Sequence, residues 1–238
     1  MNHLVRSLAL MALCGVSLTS VAAAGSVLVV RSSGPSAKAF PAGKALADSQ
    51  SIALKSNDTL VLLDSRGTRT LRGPGSFSAS AAASPSASSL AAAQGGNRRI
   101  RIQAVRGAPT GATQGRNVWQ ADISRSGNVC VASPADLGLY RSSASGEADV
   151  TLRDASGTSA AVHFEPGQSI AAWPRELAVS SGSKYKVVGI APSPTMIEVR
   201  MITPVPAGLE GMAQSFIRND CQAQLDVLID TFTSPSAS

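Results

Sequence analysis

His163 is the natural place to look for catalysis, because it is the chain's single histidine once the first two dozen residues are set aside. A Ser–His–acid triad would have to be built on it. Its neighbours Val162, Phe164 and Glu165 read as a strand, and no Gly-x-Ser-x-Gly elbow occurs in the chain. It is therefore expected as an exposed or structural strand histidine. Ser181-Gly182-Ser183-Lys184 has the Ser-x-x-Lys spacing of a nucleophile and its base. That pairing needs one helical turn, whereas Gly182 between strand-like segments predicts a loop, and the companion Ser-Asp-Asn and Lys-Thr-Gly elements are missing. Asp149, Asp154 and Glu165 are candidate glycosidase carboxylates, but nothing in their spacing selects two of them. One histidine and two distant cysteines do not make a usual zinc set. No catalytic residue, metal ligand or cofactor is expected, and the chain reads as a non-enzyme.

The cysteines carry a different chemistry. Met1–Ala24 has the order of a secretory signal peptide: Arg6, an apolar run from Leu8 to Val16, then Ala22-Ala23-Ala24 before Gly25. Cleavage there removes Cys14 and leaves Cys130 and Cys221, which an oxidising compartment would pair. A periplasmic or secreted protein with a Cys130–Cys221 disulfide is the expectation. Trp119, Tyr140, Trp173 and Tyr185 offer a sugar-stacking platform if two or three of them share an exposed plane, and otherwise fill a core.

Of the 238 residues only 15% are charged and 4% aromatic, so the core must rest on Val, Leu and Ile. The chain has 21 basic and 15 acidic residues. Residues 79–117 hold Arg98, Arg99, Arg101, Arg106 and Arg116 and no acid. Arg99 and Arg101 alternate with Ile100 and Ile102, the period of a half-buried strand with a solvated face. No aromatic lies among these arginines to stack on bases, so nucleic acid is not an expected partner. A weak contact with an anionic envelope surface fits the charge.

Short apolar runs punctuated by Gly, Asp and Pro predict a mainly β chain: two small β-sandwich or β-roll domains with short C-terminal helices. Residues 1–24 are the signal peptide and residues 25–78 the first β domain, which the basic strand extends to 108 if it returns. Residues 79–117 form an Ala/Ser-rich and basic linker, a flexible joint to a second β-sandwich over 118–204. Leu209, Met212, Ala213 and Phe216, then Leu225, Leu228, Ile229 and Phe232, have helical spacing. Two helices, about 207–218 and 221–232, are expected within 205–233, with Asp220 as N-cap of the second and their apolar stripe on the second sandwich. Residues 234–238 are a polar tail.

The first domain carries a recognisable pattern. It runs Gly43-Lys44-x-Leu46, Ser51-Ile52-x-Leu54-Lys55, Asp58-Thr59-x-x-x-Leu63-Asp64-x-Arg66-Gly67-Thr68-Arg69-x-Leu71 and ends Gly73-Pro74-Gly75-x-Phe77. This resembles the FecR-like periplasmic domain over about a quarter of the mature chain. The resemblance implies hairpins stacked into a β-roll, and a periplasmic, non-catalytic role in envelope signalling or assembly. The family's cytoplasmic anti-sigma segment and membrane helix have no counterpart here, so sigma-factor binding does not carry over.

The expected function is thus an exported interaction, signalling or assembly module that contacts an envelope protein. Arg69 and Arg72 on a polar strand, with Arg99 and Arg101 on the basic one, are the candidate partner-binding residues. The alternative is a carbohydrate-binding module of the envelope.

Overall fold

The computed structural model describes residues 26–80 and 116–233. The signal segment, Arg99 and Arg101 with most of the expected linker, and the terminal tail lie outside the described residues. The fold is mainly β, with two short helices at its C-terminal end.

Four apolar residues in a row, Val27 to Val30, leave β1 (Ser26–Ser33) without a polar side in its first half. A strand of that kind must be covered on both faces, and it is. It lies inside an antiparallel sheet of order β2 (Ala45–Ala47), β1, β4 (Thr59–Asp64), β5 (Gly67–Arg72). A second pair, β3 (Ser51–Leu54) with β6 (Gly75–Ser78), covers one face. There Val27, Val29, Leu46, Leu60 and Leu62 pack with Ile52 and Leu54. Leu28, Val30 and Leu63 point the other way, into a separate cluster. The register shifts between Val29 and Arg31, and this bulge turns Arg31 toward the same side as Val30.

The turns of this unit show why its motif residues are what they are. Asp58, only 2% exposed, accepts hydrogen bonds from the Ser36 and Lys55 backbone N–H groups. Burial alone would raise its pKa, but those bonds and the Lys55 charge outweigh it and hold the carboxyl below its ordinary value. A Cβ on Gly73 would collide with the Lys55 carbonyl, and one on Gly34 with Asp58 itself.

The second unit is a five-stranded sheet of order β11 (Ser159–Phe164), β10 (Ala148–Asp154), β13 (Lys184–Val188), β14 (Thr195–Met201), β8 (Gly127–Val131). Against it lies a three-stranded sheet, β12 (Ile170–Ala172), β9 (Gly138–Tyr140), β7 (Gln120–Asp122). The β14–β8 and β7–β9 pairs are parallel and the rest antiparallel. Alternate residues such as Val150, Leu152, Tyr185, Val187, Ile197 and Val199 fill its core.

Helices α1 (Gly208–Arg218) and α2 (Gln222–Thr231) fall where their spacing predicts. Their packing differs from expectation. Met212, Phe216, Leu225, Leu228 and Ile229 share one cluster with Leu28, Val30 and Leu63 of the first unit and with Cys130 and Ile202 of the second. The described parts of the two units thus share a common core, because β1 needs a second apolar cover and the helices are that cover; the expected joint over 79–117 lies almost wholly outside the described residues. Asp220 is not the N-cap of α2 either: Cys221 is. Asp220 adopts φ +55°, the left-handed turn that reverses the chain between the helices.

Candidate functional site

Arg69 and Arg72 both lie on β5, the outer strand of the first sheet. The register separates them. Arg69 stands opposite Leu62, on the face covered by β3 and β6, and its Nη2 donates to the Ser78 carbonyl. Desolvation lowers the pKa of this half-buried guanidinium, although Asp64 works against that. Arg72 stands opposite Thr59, on the other face, and is exposed. The two arginines therefore do not form one charged row. Arg99 and Arg101 lie outside the described residues, and so does any juxtaposition with β5.

The β5 edge is open only in part. Thr68, 2% exposed, donates its backbone N–H to the Phe232 carbonyl and its hydroxyl to the Ile229 carbonyl. A parallel bridge joins Thr68 to Thr233. The end of α2 thus occupies the start of the edge. Outward-pointing backbone groups alternate along a strand, so Thr70 and Arg72 present theirs in the same direction as Thr68, and both are exposed. This short edge, ending in the exposed Arg72 side chain, is what the described residues leave of the predicted contact strand.

The remaining candidates are dispersed. Cys130 and Cys221 are disulfide-bonded, with Cα atoms 5.8 Å apart, and both are fully buried. His163 is an exposed strand histidine: its Nδ1 lies 2.7 Å from Asp149 Oδ1 and its Nε2 3.5 Å from Glu165. The Asp149 hydrogen bond, aided by the Asp149, Glu165 and Glu147 charges, raises its pKa. Ser181 sits in a turn, while Lys184 opens β13 and faces Glu198 at 3.5 Å. Asp154 holds the β10–β11 turn by accepting from Ser156 and Thr158, not from a carboxylate partner. Trp173 and Tyr185 meet edge to face at 4.8 Å inside the second core, and Trp173 Nε1 donates to the Leu177 carbonyl. Trp119 packs against the helix cluster, and Arg116 lies over the Tyr140 ring at 4.6 Å. The four aromatics do not share a plane open to a sugar.

One functional-looking residue carried no signal in the sequence. Gln224 on α2 is 1% exposed and spans two segments of the second unit. Its Oε1 accepts the Cys130 N–H at 2.6 Å, and its Nε2 donates to the Cys130 carbonyl at 2.7 Å and the Val118 carbonyl at 2.6 Å. A side-chain amide here stands in for the neighbouring strand that β8 lacks. A glutamine in a helix has no spacing that marks such a role. Among the described residues no three of His, Cys, Asp and Glu are grouped as metal ligands would be, and no helix is long and apolar enough to cross a membrane. No family model, curated protein or solved structure matches the chain.

Proposed function

We propose that this chain is an exported, non-catalytic module of the cell envelope that binds a protein partner by adding a strand to β5. The observation that carries the reading is exposed Thr70 and Arg72 on an outer strand whose second residue, Thr68, already takes such an addition from the end of α2. Backbone hydrogen bonds would supply affinity, and Arg72 would select an acidic partner. Export to the periplasm is supported by the order of charged, apolar and small residues in Met1–Ala24, and a buried disulfide suits that compartment. The FecR-like pattern supports a role in signalling or assembly there, through turns that Asp58 and Gly73 explain physically. The carbohydrate-binding alternative draws less support, since Trp173 and Tyr185 are core residues.

Thr70→Pro tests the reading. Proline removes an outward N–H and leaves the β4 side of the strand able to pair. Pull-down from envelope extract, beside Arg72→Glu and the unaltered protein, should lose the same captured protein with both variants while circular dichroism stays native. Retention of that protein by Thr70→Pro at full yield would remove strand addition as the mode of contact.

A further inference from the structure

The five-stranded sheet turns one face to its own core and the other outward. Along β8 the outer face is closed by the turn between the two helices, where Asn128 Nδ2 donates to the Asn219 carbonyl at 2.9 Å. Over β11, β10, β13 and β14 the outward residues are exposed or half-buried. The register sets them in rows across the strands. Ala161, Thr151 and Val188 form a middle row. Arg153, Lys186 and Met196 stand on one side of it, and His163 and Asp149 on the other.

The two flanking rows carry opposite charge. Arg153 and Lys186 are exposed, stand directly opposite each other, and have no ion-pair partner among the described residues. Like charges so placed repel. Glu198, farther along β14, gives no relief, because it pairs with Lys184 and Arg200. At the other end Asp149, its side chain 87% exposed, gives one oxygen to His163 Nδ1 and turns the rest to solvent. Glu147 and Glu165 extend this acidic end, since both act with Asp149 on the charge of His163.

Apolar surface gathers on the same face. Among the described residues the large exposed apolar side chains are Val188 at 39%, Met196 at 46% and Val205, and the first two lie here beside Lys186. An antiparallel sheet can leave one face to water, so exposure alone decides nothing. The order of the charges does. Along β10 the outward residues run Asp149, Thr151, Arg153: acid, neutral, base. Such a series is complementary to its own reverse. A two-fold axis lying across the strands at the Thr151 row lays two copies face to face, Arg153 over Asp149 of the second copy and Lys186 one strand away. Val188 then meets Val188 of the second copy. Packed sheets lie about 10 Å apart, a gap that an arginine and an aspartate span together across a middle row of small side chains.

We propose that this face joins two copies of the chain in an isologous dimer, held by two Arg153–Asp149 pairs about a centre of Val188, Thr151 and Ala161. The face is small and mostly polar, so the dimer is weak and reversible, in the class of transient interfaces. Strand addition at β5, in the other unit, is not needed for it.

The test is sedimentation equilibrium of the purified protein at low ionic strength, from about 10 µM to about 1 mM. A monomer–dimer equilibrium is expected, with a dissociation constant on the order of 0.1 mM that added salt weakens. Arg153→Glu or Asp149→Arg alone puts like charges at both symmetric contacts, and should weaken association at least about tenfold. Both positions are exposed, so circular dichroism should stay native. An equimolar mixture of the two variants has opposite charges at both contacts again, and should associate as a heterodimer. A monomer at about 1 mM, ten times the expected dissociation constant, would overturn the proposal and leave the face to water or to a different partner. So would either single variant associating as the unaltered chain does, or a mixture that stays monomeric.

Discussion

In the first sheet β1 is covered on both faces, and Val27 to Val30 are each at most 1% exposed. In the five-stranded sheet β13 alternates instead: Tyr185 and Val187 are buried while Lys184, Lys186 and Val188 face solvent. The second sheet closes its core with strands of its own unit. The first closes one face with its own β3 and β6, and borrows the other cover from helices that start about 175 residues later in the chain, the distance from β1 to α1. A sheet buried twice is more apolar, and it depends on whatever arrives last to cover it. The helices therefore do more for the first unit than for the second, although the disulfide attaches them to the second.

Removing that cover should produce the largest effect. Deletion of residues 206–238, with Cys130→Ala to avoid an unpaired thiol, should abolish hydrogen-exchange protection in β1 and β4. Protection in β10 and β13 should largely persist. Equal loss in both sheets would break the contrast.

Breaking the covalent attachment comes next. Cys130→Ala with Cys221→Ala opens a loop of 91 residues, and chain-entropy arguments put the loss at roughly 4–5 kcal/mol. Urea unfolding followed by intrinsic fluorescence and by exchange in β1 should show the first sheet destabilised along with the second. Replacing Gln224 with Leu should cost less, about 2–4 kcal/mol, because the Cys130 N–H and two carbonyls lose their partners inside the junction. The disulfide should still form, as non-reducing peptide mapping would check.

The smallest effects sharpen the comparison by pH. The Asp58 pKa is lowered in the folded chain, so its contribution is present above the unfolded carboxylate value near 3.8 and fades as pH falls through the lower folded value. The His163 pKa is raised, so its contribution is complete below about 6.5 and fades as pH rises through the higher folded value. Acid should therefore loosen the first unit's turns, visible at the Ser36 and Lys55 amides. Mild alkali should touch only the β10–β11 edge. Asp149→Asn should return the His163 titration, followed by its ring-proton resonances, toward the ordinary value.

Much of the fold is legible in residue order. Alternation at Ile52 and Leu54, at Val150 and Leu152, and at Tyr185 and Val187 reports strands, since each side chain either enters a core or faces water. The spacing of Met212, Ala213 and Phe216 reports a helix for the same reason. Three short strands left no such mark: β2 with Leu46 alone buried, β6 with its single half-buried Phe77, and β9 with Leu139 alone buried. The candidate contact site was legible as a polar strand. The separation of Arg69 from Arg72 follows from their spacing of three, which puts them on opposite faces.

The residues by themselves determined a mainly β chain with two helices after its strands, and two cysteines outside the N-terminal apolar segment that could pair with each other. Those features rest on local periodicity and on counting. Which surface the helices cover, the capture of Thr68 by the end of α2, and the insertion of Gln224 beside β8 were decided only in three dimensions. Each joins groups about 90 residues or more apart in the chain, and buried backbone donors and apolar faces take whichever partner the packing brings within reach.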